Sequence, residues 1–356
     1  MPLTLSKRHT SQDHKQALGQ YFTTNADVIL EGFEPLVKGK SVVDPFVGAA
    51  DLLSWAVRHG CSDTLGLDLE PQNHSVIQND SIANPPDYTG WLVLTNPPYL
   101  SRNKYRGDKS VFDQWGFDNL YKCHLASLKT ADEFIEIVPV NFFCESRDAI
   151  RRHLFSTHTV TRASFWTDPS FDDTNQCVTV FHGIKKKSTV QQFPLTFMPE
   201  RVTVNVQLYP QDRYLWGHDF FRYLETGDSV DLRVTKTDTG MPAPNSNIVI
   251  GLLDKGSWRS GFSYNEGAAV YCKPSSFTTY QLTLSRQFTA EQQRAIVDLA
   301  QTRLEQYRAQ YRDMFLANYM GEYQKILSRD YLHRLLRSAV AELGYTKMEN
   351  ELFIWE

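Results

Sequence analysis

Ser41-Val42-Val43-Asp44-Pro45-Phe46-Val47-Gly48-Ala49-Ala50-Asp51 is the stretch from which the fold is read. Ser41–Val43 is a short β-branched run, which favours a strand. It runs into an acid, a proline and a turn of small residues. Leu52, Leu53, Ala56 and Val57 then recur at helical spacing, and the pattern stops at Gly60. Strand, tight turn and helix in that order are the first half of a parallel βαβ unit.

The same alternation continues on both sides. Residues 26–38 read as a helix on Val28, Ile29, Phe33, Leu36 and Val37. A second strand, Thr64–Leu67, ends in Asp68-Leu69-Glu70-Pro71, and a third short one precedes Asn79-Asp80. A fourth, Trp91–Leu94, runs into Asn96-Pro97-Pro98-Tyr99. A helix over 118–129, a strand over Phe134–Val138, a helix near 146–155 and strands near 160–166 and 177–183 follow. Strands alternating with helices predict an α/β, Rossmann-like, doubly wound and mostly parallel sheet, whose ligands sit beyond the carboxyl ends of the strands. Every polar motif named above falls at such an end.

Lys185-Lys186-Lys187-Ser188 reads as a boundary, giving domains 1–187 and 188–356. Residues 190–285 have strand and loop texture without a helical period, and Pro242-Ala243-Pro244-Asn245 is a turn. A helix is expected over 289–316, opened by the capping-box pattern Thr289-Ala290-Glu291-Gln292. Its Tyr307, Tyr311 and Phe315 read as core. A second is expected over 322–343, closed by Gly344.

A chain of 356 residues suits two domains, and its apolar fraction of 41% is that of a globular protein. It contains no bilayer-length apolar run and no charged-then-apolar leader, so a cytoplasmic protein is expected. The five cysteines are scattered without metal-ligand spacing; they are expected to be buried thiols, and no metal is expected. Residues 1–100 hold 6 Lys+Arg and 11 Asp+Glu, a balance of −5. Residues 101–356 hold 31 and 30, a balance of +1. Only local clusters of cations argue for a polyanion.

The chemistry centres on Asn96-Pro97-Pro98-Tyr99. Two prolines make a stiff turn that lacks N–H groups and leaves its carbonyls open to a ligand. Asn96 adds an acceptor oxygen and Tyr99 a flat π face. Two acceptors side by side suit an amino group with two hydrogens to donate. Holding both hydrogens draws a conjugated amine toward tetrahedral geometry and aims its lone pair at a methyl donor, so positioning carries the reaction. Asn84-Pro85-Pro86-Asp87 repeats the tripeptide without that setting. The turn at Gly48 admits a ligand close to the backbone, and Asp44 is placed to meet a cationic group of it. Asp68, about 20 residues on, suits two ribose hydroxyls, and Asp80 an adenine amino group.

Taken in order, Leu18-Gly19-Gln20-Tyr21-Phe22-Thr23-Thr24, Asp44–Gly48, Gly66–Pro71, Asn79-Asp80 and Asn96–Tyr99 resemble the gamma-class adenine-N6 DNA methyltransferases of restriction–modification systems, over residues 16–183. The resemblance implies S-adenosyl-L-methionine as cofactor and an adenine flipped out of duplex DNA. It implies that Tyr21, Phe22 and Thr23 hold the methionine end of the cofactor. Asp44, Pro45, Phe46, Gly48, Asp68, Leu69, Asp80, Ser81 and Asn96 complete the cofactor set. Asn96, Pro97, Pro98 and Tyr99 form the catalytic loop, and Tyr99 and Phe171 stack on the target base. A separate cognate endonuclease is also implied. The family's second glycine is replaced by Ala50, which fits if φ is negative there. Methylation of a protein glutamine, of RNA or of cytosine N4 are the alternatives, as is a DNA-binding protein on an inactive fold of this kind.

Ser101–Lys109 is basic and starts at the rim of this site. Arg102, Lys104, Arg106 and Lys109 are therefore expected to contact DNA phosphates, with Arg147, Arg151 and Arg152 as a second basic group. Residues 188–356 are expected to be the target-recognition domain. Arg201, Arg213, Arg222, Arg233, Lys236, Lys255, Arg259 and Lys273 are its unranked candidates.

Overall fold

The computed structural model describes residues 23, 25–71, 74–145, 147–166, 177–217, 232–254, 259–271, 279–311, 317–319 and 325–345. Tyr21, Phe22, Phe171, Arg222, Lys255 and Lys273 lie outside them, so the roles expected for these residues are expectations only. Two compact units are present. One comprises residues 1–142 and 147–214; the other comprises 143–146 and 215–356.

The first unit is built on a nine-stranded sheet. Its strands are β1 (Ser41–Asp44), β2 (Asp63–Asp68), β3 (Ile77–Gln78), β4 (Leu92–Thr95), β5 (Glu133–Pro139), β6 (His158–Trp166), β7 (Val178–Lys185), β8 (Gln191–Met198) and β9 (Val202–Leu208). They lie in the order β3-β2-β1-β4-β5-β7-β6-β8-β9. The first five are parallel. β7 runs antiparallel to β5 and to β6. This is the Rossmann-like α/β sheet expected, with a mixed extension beyond β5 in which β7 and β9 run antiparallel to their neighbours and β6 and β8 pair in parallel. All four residues of β4 are buried, as a central parallel strand covered on both faces requires. The helix Asp51–Arg58 lays Leu52, Leu53, Trp55 and Ala56 onto a core shared with Val42, Leu92, Leu94, Ile135 and Ile137.

Several boundaries differ from the sequence reading. The expected helix over 26–38 is two short helices, Ala26–Ile29 and Glu34–Val37. Gly32, at φ +88°, separates them. The Lys185–Ser188 run is a turn inside the sheet, because β8 pairs with β6 and β9 with β8. The chain leaves the first unit after Tyr214, not at Lys187. The alternating burial of Gln191–Met198 is the reason: its apolar residues complete the first core.

In the second unit, β10 (Val234–Lys236), β11 (Ile248–Gly251), β13 (Gly261–Tyr264) and β14 (Thr279–Leu284) form an antiparallel sheet in the order β10-β14-β11-β13. β12 (Leu253–Asp254), β15 (Ala317–Tyr319) and β16 (Lys325–Leu327) form a three-stranded one. The helix Ala290–Gln310 opens with the expected capping box, both reciprocal hydrogen bonds being present. Its Tyr311 is buried and stacks on Tyr307. The last helix is Arg329–Glu342, shorter than expected, since Lys325–Leu327 pairs as a strand. Gly344 follows it at φ +74°. Among the described residues no helix is long and apolar enough to cross a membrane.

Candidate active site

Strand order sets the site. β1 lies between β2 and β4, so the chain turns one way from β1 to β2 and β3, then crosses to the other side for β4. A crevice opens at such a reversal, outside the carboxyl ends. Reading across neighbouring strands, the residues at those ends are Asp80 after β3, Asp68 on β2, Asp44 on β1 and Asn96 after β4. Four motifs separated along the chain thus become one row.

A cavity of about 160 Å³ lies over this row. Of the residues singled out in the sequence, Thr23, Asp44, Phe46, Gly48, Asp68, Leu69, Asp80, Ser81, Asn96 and Pro98 line it. Pro45, Pro97 and Tyr99 do not line it. Asp51, Ile82, Tyr105, Asp108, Val111 and Leu120 also line it and were assigned no cofactor contact from the sequence. Asp51 was legible, since it opens the helix after the glycine turn. Tyr105 and Asp108 were hidden in a segment read as a polymer-binding face. Among the described residues the lining holds five aspartates and no lysine, arginine or histidine.

Backbone contacts fix the acids. Asp68 Oδ2 accepts from the Gly48 N–H at 2.9 Å and Oδ1 from the Glu70 N–H at 2.8 Å, which ties the glycine turn to β2. Gly48 and Ala50 both have left-handed backbones, φ +49° and +65°. The condition under which an alanine fits here without strain, a negative φ, is therefore not met: the turn closes onto the helix in the left-handed conformation, and Ala50 adopts it. The N-cap residue of this helix, Ala50, has no side chain that caps the first-turn N–H groups, and Asp51 and Leu52 of that turn line the cavity. Asp80 Oδ1 accepts from the N–H groups of Ile82 and Ala83 at 3.2 and 3.0 Å, closing a turn.

Asp44 is 1% exposed. Its Oδ1 accepts from Thr95 Oγ1 at 2.6 Å and from the Phe46 N–H at 3.0 Å. Burial pushes its carboxyl up to about 7, the Thr95 and Phe46 hydrogen bonds oppose this, and the Asp68 and Glu136 charges add to the rise. Glu136, paired in register with Thr95, is wholly buried and bonded to His124 Nε2 at 3.0 Å. Burial raises the Glu136 carboxyl even against that histidine. The His124 ring meets Phe46 edge-on at 4.9 Å, so the buried pair backs a wall of the cavity.

In the Asn96–Tyr99 loop, Asn96 Nδ2 donates to Thr23 Oγ1 at 3.1 Å. The Tyr99 hydroxyl sits between Asn96 Oδ1 and the Ile137 carbonyl, 2.7 Å from the latter. Its ring packs on the main core and meets Tyr121 edge-on. Asn96 is thus oriented from both sides, and Tyr99 holds its acceptor oxygen.

The expected basic contacts divide. Lys104, Arg106 and Lys109 are exposed. Arg102 is paired with both carboxylate oxygens of Asp113. Arg147 pairs with Asp118 and Arg152 with Asp148. Arg151 is buried and donates to the Phe142 and Arg213 carbonyls. The second basic group is accordingly not an open cationic face. Arg201 pairs with Glu31 in the first unit, and Lys236 with Asp238 in the second.

No family model matches this chain, and no curated protein does. Among solved structures it is similar to a chain described as a modification subunit of a type I restriction enzyme from Vibrio vulnificus YJ016. The identity is 14% over 63% of this chain and 58% of that one, with a TM-score of 0.42. A type I restriction–modification methyltransferase subunit from Streptococcus thermophilus matches at 17% identity over 50% and 47%, TM-score 0.38. A DrdV–DNA complex matches at 10% identity over 59% and 32%, TM-score 0.44. The chain thus matches less than two thirds of the length of each.

Proposed function

We propose that this chain is an S-adenosyl-L-methionine-dependent methyltransferase whose target is an amino nitrogen, N6 of adenine in DNA. The observation that carries the reading is the row Asp80, Asp68, Asp44 and Asn96 under a cavity whose described lining holds five aspartates and no basic side chain. Anionic dinucleotides favour the same crevice of this fold class but are repelled by such a lining. A ligand bearing an ammonium and a sulfonium against one carboxylate is attracted by it.

The residues present fit that cofactor. Asp44 and its acidic neighbours suit the cationic end, and the uncapped helix start suits the carboxylate. Asp68 suits the ribose hydroxyls. Phe46, Ile82, Val111 and Leu120 form an apolar slot for the adenine, with Asp80 and Ser81 at its polar rim. S-adenosyl-L-methionine bound there supplies an electrophilic methyl group. Asn96 Oδ1 and the Pro97 carbonyl accept the two hydrogens of the target amine and direct its lone pair. Thr23 and Tyr99 hold the Asn96 amide in plane for this. A strong base is not needed before transfer, because the nitrogen sheds its proton readily once alkylated.

Adenine in DNA is supported by the order of the five motifs and by the second unit, which is large enough for a recognition domain. Incubating the purified chain with methyl-labelled cofactor and mixed-sequence DNA, RNA or protein tests it. Label is expected in DNA as N6-methyladenine, with at least about 100-fold loss in Asn96→Ala, the scale of removing one preorganised polar contact from a reacting centre. Label in RNA or protein alone would move the substrate assignment. No transfer to any of the three would remove the enzymatic one.

A further inference from the structure

The segment after the catalytic loop has two faces. Lys104, Arg106 and Lys109 are exposed, whereas Tyr105 between them is half-buried and lines the cavity, with the exposed Asp108 at its edge. Backbone bonds from the Lys104 and Tyr105 N–H groups to the Ser101 carbonyl, at 2.9 and 3.0 Å, hold the turn that creates this division. Asp108 closes the turn into the following helix, Ser110–Trp115, by accepting from the Ser110 N–H and hydroxyl. That helix is anchored below Asp80: Trp115 Nε1 donates to the Ile82 carbonyl at 2.8 Å and Gln114 Nε2 to the Ala83 carbonyl at 3.0 Å.

Tyr105 is held within this frame. Its ring meets Phe112 edge-on at 5.5 Å. Phe46, Ile82, Val111 and Leu120 belong to the same apolar cluster, and all four line the cavity. Burial and the Asp80 and Asp108 carboxylates, in that order, push the Tyr105 phenol up. Gly107 makes the placement possible. A Cβ there would stand 2.7 Å from Cζ and Oη of Tyr105, so only a glycine lets the ring lie over the backbone.

We infer that Tyr105 is a ligand-contacting residue of this site, its ring covering one face of a flat heteroaromatic group held in the apolar slot. The inference rests on the cofactor reading above and deepens it: the segment that looks like a polymer contact is also a wall of the cofactor pocket. The adenine of the cofactor is the group of that shape which the reading places there.

Calorimetric titration of the full chain with S-adenosylhomocysteine and with 5′-methylthioadenosine tests it. Tyr105→Ala is expected to weaken both by about 10- to 100-fold, the scale of one lost base–aromatic stack. Tyr105→Phe keeps the ring and is expected to bind within about threefold of the parent, a rescue that sets stacking apart from a need for the hydroxyl. Gly107→Ala keeps the tyrosine but drives its ring aside, and is expected to cost at least about fivefold. Its negative-φ backbone accepts an alanine, so it tests the ring's position even if Tyr105→Ala folds poorly. Parent-like affinity in Gly107→Ala, or in folded Tyr105→Ala, overturns the inference while the cofactor reading stands. No binding by the parent chain overturns both.

Discussion

Asp44 shows how one buried side chain ties stability to ligand binding. The folded protein keeps its proton up to about pH 7, whereas the unfolded chain releases it near 3.8. Between those values the folded state binds more protons, so rising pH removes stability. The loss starts near pH 4 and is complete just above 7, and a gap of about three pH units is worth roughly 4 kcal/mol. Asparagine keeps an acceptor for Thr95 and Phe46 without the charge. Urea unfolding of Asp44→Asn should therefore gain on the parent as pH rises from 4 to 8, and a pH-independent difference would contradict the burial account. Cofactor affinity moves oppositely, because a cation in the cavity favours the ionised acid. Ala50 allows a second test. A left-handed alanine costs about 1–2 kcal/mol, and glycine loses about 0.5–1 kcal/mol more chain entropy on folding. Ala50→Gly should stabilise the chain by up to about 1 kcal/mol, read as a raised melting temperature. The acids were legible in the sequence because each ends a strand. The sign of φ at Ala50 was not, because nothing in Gly48-Ala49-Ala50-Asp51 dictates how its turn closes.

At the scale of elements, legibility followed local chemistry. The helix from Ala290 announced itself through Thr289 and Gln292, which bond each other's backbone at 3.2 and 3.0 Å. The start of the last helix was misplaced because Ile326 and Leu327 suit a helix and a strand equally, and pairing with Ala317–Tyr319 decides it. The helix over 26–38 overlooked Gly32, whose left-handed φ halts it. The membership of β8 and β9 was hidden because sheet pairing is a long-range choice. Arg151, on the helix Ala149–Phe155, looked like part of a cationic surface in the sequence and is instead a fastener. Its Nη1 reaches the Phe142 carbonyl at 2.5 Å and its Nε the Arg213 carbonyl at 3.0 Å. One planar guanidinium thus joins the segments after β5 and β9. Arg151→Met leaves two carbonyls without that donor and should cost about 2–4 kcal/mol in denaturant unfolding. Lysine, a point charge on a flexible stem, should recover little of it. Equal stability of the lysine variant and the parent would show that the fork geometry is unimportant.

At the scale of the whole molecule, a net charge of −4 has to be reconciled with the polyanionic substrate proposed. The reconciliation proposed is spatial: acids line the cavity, and the cations of the segment at its rim are exposed. What counts for a phosphate backbone is a cation without a carboxylate already on it. Arg102 spends its guanidinium on Asp113, whereas Lys104, Arg106 and Lys109 are exposed. Each phosphate neutralised on duplex DNA contributes about 0.9 to the slope of log affinity against log salt. Replacing Lys104, Arg106 and Lys109 together by serine should therefore flatten that slope by roughly 2–3, with affinity falling most at low salt. Arg102→Ser should change the slope by less than about one, since its charge is already matched. Fluorescence anisotropy of a labelled duplex across a salt series measures both. If the triple variant keeps the parent's slope, the outer face of this segment does not meet DNA. The sequence-based expectation for these three residues then falls, while the inner face, which serves the cavity through Tyr105 and Asp108, is unaffected.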